Sequence, residues 1–168
     1  MKRLMQLGLA VFGMAFLSVG CAPEGPSRAP DGGSISRPDA AGPGTVTYNG
    51  EGTMLLEGTC EDRAGHDCNG NAALFQLPNG QVELRLGSNF NVVNIPGGVM
   101  YLSSRQTLGA AVNGSTDVNL GGLTSINGAQ NYAVPQGQSD GRVYAWIWCL
   151  PFSVEVGRWV LSPPVNPQ

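Results

Sequence analysis

Asn-Gly pairs punctuate this chain at 49–50, 69–70, 79–80, 113–114 and 127–128. Asparagine followed by glycine readily takes the positive φ angles of a type I′ turn, the favoured two-residue link between antiparallel strands. A chain of 168 residues with five such signals reverses direction often and has room only for short elements. The 25 Gly and 12 Pro point the same way, because both residues are poor inside helices. No stretch of about ten residues carries a helical period of apolar positions. Two of the pairs have flanks that read as hairpin arms: 45–48 with 52–59, and 72–77 with 81–86. In the last of these arms Val82, Leu84 and Leu86 alternate with Glu83 and Arg85, the pattern of a strand with one wet face.

Shorter apolar runs follow at 92–95, 99–102, 108–112, 118–120 and 132–134. The clearest strand is 142–150, RVYAWIWCL. It sets Val143, Ala145, Ile147 and Cys149 on one face and Tyr144, Trp146, Trp148 and Leu150 on the other. Pro151 stops it, and 154–161 reads as the last strand. Short strands with turn signals between them predict an all-β fold, a single small β-sandwich or barrel-like domain over 45–162, with 163–168 as a frayed tail.

The N-terminus is built differently. Lys2 and Arg3 precede Leu4–Val19, an uncharged run of 16 residues. That is short of the ~20 residues of a comfortable membrane span and fits the apolar region of a removable signal peptide over 1–20. The run ends Leu17-Ser18-Val19-Gly20-Cys21. This resembles the lipobox of bacterial lipoproteins, although Ser18 stands where that family usually has Leu. The resemblance implies that the peptide is cut before Cys21 and that the Cys21 thiol and the new amine carry palmitate-class acyl chains. Ala22 after the cysteine, by the same resemblance, implies the outer membrane rather than retention at the inner one. Residues 22–44, APEGPSRAPDGGSISRPDAAGPG, hold five Pro and one large apolar residue, Ile35. Such a stretch has too little apolar surface to offset its ordering entropy. As a coil it spans ~25 Å, enough to tether a domain off a lipid surface.

Charge narrows the functions. Without Lys2 and Arg3, the 9 basic residues become 7, all Arg, against 12 Asp and Glu, a net charge of 7 − 12 = −5. A nucleic-acid binder needs a basic face for phosphates, so that class is excluded. Export places the chain in an oxidising compartment, with Cys60, Cys68 and Cys149 left beyond Cys21. Cys60 and Cys68 bracket the polar loop EDRAGHD and are the expected disulfide. The rival pairing joins Cys149 to one of them. Closing the Cys60–Cys68 loop contributes at most about 2.5 kcal/mol by chain entropy.

Glu61, Asp62, His66 and Asp67 form the densest polar cluster. It lacks the Asp-x-Asp-x-Asp rhythm of a calcium loop and the spaced ligands of a zinc site, so no metal or other cofactor is expected. His66 is the sole histidine, no Gly-x-Ser-x-Gly elbow occurs, and no phosphate loop is present. The expectation is a non-catalytic domain, with a cryptic hydrolase as the remaining enzymatic reading. The stripe Tyr144, Trp146, Trp148 is the candidate binding surface. Its residues recur at about 7 Å along one strand face, which suits stacked sugar rings, an aromatic protein interface, or plain core. The sequence thus reads as a lipid-anchored outer-membrane protein acting in protein interaction or envelope assembly, or else in carbohydrate binding.

Overall fold

The computed structural model describes residues 46–165. The expected signal peptide, Cys21 and the expected tether over 22–44 lie outside them. Among the described residues there are ten strands and no helix: β1 (Thr53–Asp62), β2 (Cys68–Asn69), β3 (Asn71–Gln76), β4 (Val82–Leu86), β5 (Asn91–Val92), β6 (Gly98–Ser103), β7 (Asp117–Gly122), β8 (Gln130–Val134), β9 (Tyr144–Cys149) and β10 (Val154–Val160). Eight of them make one antiparallel sheet in the order β7-β6-β9-β10-β1-β3-β4-β8, and β2 pairs with β5. The sheet curls until its edge strands β7 and β8 approach each other, a nearly closed barrel-like domain.

The long strand β1 turns the corner. Its residues 53–59 pair with β3, and 60–62 pair with β10. Gly58 permits this, since a Cβ there would stand 2.4 Å from the Val160 carbonyl oxygen. The interior is filled by Leu74, Leu84, Leu86, Phe90, Met100, Leu102, Ala145, Ile147, Val156 and Trp159, among others. The upper end of the barrel holds the connections 63–67, 87–97, 123–129 and 150–153. The lower end holds the turn 77–81 and the segments 104–116 and 135–143.

The β3–β4 hairpin forms as the sequence predicts, but its turn differs. Gly80 N–H donates to the Leu77 carbonyl at 2.9 Å and Leu77 N–H to the Gln81 carbonyl at 2.8 Å. Gly80 has φ 83° while Asn79 does not share a positive φ. Pro78 holds its own φ negative, which selects a three-residue loop with glycine in the left-handed position instead of type I′. The expected hairpin around Asn49-Gly50 is not formed. Residues 46–52 descend the outside of β3 and β4, with Arg85 donating to the Gly50 and Glu51 carbonyls at 3.0 and 2.8 Å. Arg85 is 1 % exposed and lies over the Phe75 ring at 4.4 Å. The run 108–112 is not a strand either. It belongs to the segment 104–116, which folds over the barrel's outer surface.

Candidate functional site

The aromatic stripe sits on β9, the strand between β6 and β10, so both of its edges are hydrogen-bonded. Ala145, Ile147 and Cys149 line the main core; that face is therefore neither outward nor a secondary layer. Tyr144, Trp146 and Trp148 point to the outer face and form a second apolar cluster with Val99, Tyr101 and Leu108. Trp146 is 0 % and Trp148 3 % exposed, and Tyr144 is half-buried.

The cover is the strap 104–116. Its one deeply buried apolar contact is Leu108, and the rest of its attachment is polar. Glu155 Oε1 accepts from Thr107 Oγ1 at 2.7 Å, from Leu108 N–H at 2.5 Å and from Gly109 N–H at 3.0 Å. Asp117 accepts from Ser103 Oγ at 2.6 Å, from Asn113 N–H at 2.5 Å and from the Arg105 guanidinium. Burial pushes the Asp117 carboxyl up, but these donors outweigh it and hold it below its ordinary value. Trp146 Nε1 donates to the Arg105 carbonyl at 3.3 Å. The guanidinium groups of Arg63 and Arg158 lie 5.6 and 5.5 Å from the Trp146 ring centre. Burial and the Asp117 charge raise the Tyr101 phenol.

Trp159 is not part of the stripe. The strands 144–149 and 154–160 pair, with a register shift between Glu155 and Gly157. One extra residue flips every later side chain to the other face. Trp159 therefore opposes Ala145 and points into the core, where its Nε1 donates to the Gly70 carbonyl at 3.1 Å. Arg158 takes the outward position beside Trp146.

Cys60 and Cys68 are bridged, with their Cα atoms 5.7 Å apart. Cys149 is buried, its Sγ 3.3 Å from the Pro96 carbonyl oxygen. The polar loop between the bridged cysteines is committed to structural bonds. Asp62 Oδ1 accepts from Cys68 N–H at 2.8 Å, Glu61 is paired with Arg158 and stands 3.6 Å from Arg63. His66 closes a tight turn on Arg63, its N–H donating to the Arg63 carbonyl at 2.9 Å. Among the described residues no three His, Cys, Asp or Glu converge on a common point.

A groove of about 790 Å³ opens at the lower end, lined by Gln76, Asn79, Gln81, Gln136, Ser139 and Asp140 over a floor that includes Val82 and Val134. Sequence reading missed it, because its two walls come from the β3–β4 turn and from 133–140. It also missed the roles of Arg63, Arg85 and Arg158. The signal available was that a chain this poor in cations has each of them inside or beside a strand pattern. Compared with known proteins, the chain matches no family model, no curated sequence and no solved structure. The class the fold defines is an antiparallel, disulfide-bridged, barrel-like β domain.

Proposed function

We propose that this chain is a lipid-anchored envelope protein, acylated at Cys21 and held at the outer membrane. In this reading its β domain serves protein interaction or envelope assembly rather than catalysis. The observation that carries the reading is the sequence Leu17-Ser18-Val19-Gly20-Cys21 at the end of an uncharged run behind Lys2 and Arg3. Several acyl chains at ~0.8 kcal/mol per buried CH₂ hold a protein firmly on a bilayer. With the aromatic stripe closed off by its strap, the loop-bearing ends of the barrel are the surfaces on offer to a partner. The test is envelope fractionation of the full chain. Cys21→Ser is expected to leave the membrane fraction; normal retention of that variant would contradict the reading.

The carbohydrate reading has a different support from the stripe that first suggested it. Side-chain amides and a carboxylate, as at Gln76, Gln81, Gln136 and Asp140, offer the paired donors and acceptors that sugar hydroxyls take up. Calorimetric titration with purified envelope polysaccharide tests it. Binding that Gln136→Ala and Asp140→Ala weaken supports it, and no heat of binding contradicts it.

A further inference from the structure

Between Arg63 and Glu155 the chain has five stretches of more than ten residues without charge or histidine. Two of them, 68–82 and 106–116, hold the turn 77–81 and most of the strap at the lower end, and the other three bear on the upper end. These three run between Arg85 and Arg105, between Asp117 and Asp140, and between Arg142 and Glu155. The connections 87–97, 123–129 and 150–153 come from them, and the fold brings them together at the upper end. Leu150 N–H donates to the Gly97 carbonyl at 3.2 Å, Leu123 N–H to the Gly98 carbonyl at 2.9 Å and Val92 N–H to the Ile126 carbonyl at 2.9 Å. The result is an uncharged rim from which Leu150, Phe152 and Ile126 project, 51 %, 43 % and 38 % exposed, beside exposed Pro96 and Pro151. Charge at this end is confined to the disulfide loop, where Asp62, Arg63, His66 and Asp67 stand. Leu55, Val112, Val160 and Val165 are exposed as well, but Leu55 and Val160 lie in strand stretches that carry Glu57 and Arg158, Val112 lies on the strap and Val165 on the C-terminal tail.

The described chain begins at the same end. Thr47 N–H donates to Ser88 Oγ at 3.2 Å, and Ser88 N–H donates to the Thr47 carbonyl at 2.9 Å. Ser88 stands two residues past the end of β4, at the upper rim. The segment linking Cys21 to Val46 therefore joins the domain at the end that carries this rim, and the groove lies at the other.

We infer that this rim rests on the lipid surface that carries the anchor, with Leu150 and Phe152 in the boundary between headgroups and acyl chains. The inference depends on the reading of Cys21 as acylated. Acyl chains alone fix where the protein is but not how it is oriented. Two apolar side chains on one tight turn, one of them aromatic, suit the membrane interface. The turn that carries them has no ionised group to desolvate, while the charges of the disulfide loop stand at the same end, where the Asp67 carbonyl accepts from Val93 N–H at 3.2 Å. The groove then faces away from the membrane.

The test uses the full chain, acylated in its host and reconstituted into vesicles of phosphatidylethanolamine and phosphatidylglycerol, with or without a chain-brominated phosphatidylcholine. Bromine quenches tryptophan only at close range. Phe152→Trp retains an aromatic side chain at an exposed turn, and Leu150→Trp is the second variant. The tryptophan added in each, taken as the difference from the parent, is expected to lose most of its emission in the brominated vesicles. A tryptophan placed at the opposite end, Asn79→Trp, is expected to keep its emission. Vesicle-bound protein in which the Leu150→Trp and Phe152→Trp variants are both unquenched would overturn the inference while leaving the anchor reading intact. A protein that Cys21→Ser releases no more than the parent would overturn both. Quenching that appears only after a co-purified protein or a second copy is stripped from the rim would assign the rim to that partner instead.

Discussion

Gly157 shows how one residue's meaning depends on a distant pair. As part of 154–160 it reads as a weak point in a strand, where alanine is ordinarily better by about 0.5–1 kcal/mol. In the fold a Cβ there would lie 2.5 Å from Cys68 Sγ and 2.9 Å from Cys60 Sγ, so the glycine is the space in which the disulfide packs. Gly157→Ala is expected to destabilise by about 2 kcal/mol, the cost of overpacking, in urea unfolding, and to make the bridge easier to reduce in a thiol titration. Unchanged or increased stability would contradict this packing. The tyrosines give a second residue-scale prediction. Burial, helped at Tyr48 by the charge of Glu57, pushes Tyr48 and Tyr132 from 10.0 up to about 12. A folded pKa above the unfolded one means their contribution to stability is complete below pH 10 and is lost as pH rises toward 12. Ultraviolet titration of the folded protein should show these phenols ionising late, and Tyr132→Phe should remove one late step.

At the scale of the element, the strap 104–116 is the least sequence-legible part of the site. The stripe itself was readable, because alternation on 142–150 puts Tyr144, Trp146 and Trp148 on one face whatever the fold. What covers that face was not. Residues 108–112 look like a strand locally, and only the long-range bonds to Glu155 and Asp117 make them a cover. The bulge between Glu155 and Gly157 was invisible for the same reason, and it decides that Arg158 rather than Trp159 joins the stripe. The strap's polar fastening makes it pH-sensitive. Asp117 is held below its ordinary value of 3.8, so its contribution is complete above that pH and is lost as pH falls through the lower, folded value. Acrylamide should quench the tryptophans weakly at neutral pH. Quenching should rise in acid before the sheet unfolds by circular dichroism, and Asp117→Asn and Glu155→Ala should raise it already at neutral pH. Strong quenching of the parent at neutral pH would mean that the stripe is open.

For the whole molecule, the all-β class followed from composition and turn chemistry, and the strongest local pairing, β3 with β4, from alternation on either side of a turn. The sheet order did not follow, because β1 pairs with β3 and β10 across very different chain distances and no local pattern encodes those partners. The first expected hairpin failed because Arg85, buried at 1 % exposure, binds the Gly50 and Glu51 carbonyls and holds 46–52 against the barrel wall. Function at this scale rests on the N-terminal segment and on which end of the barrel it joins. The most direct test is intact-mass spectrometry of the protein extracted from its native envelope. The expected chain begins at Cys21 and is heavier than the unmodified sequence from that residue by a diacylglyceryl group and one further acyl chain. A chain that keeps residues 1–20, begins elsewhere, or begins at Cys21 without lipid would contradict the lipid-anchor reading.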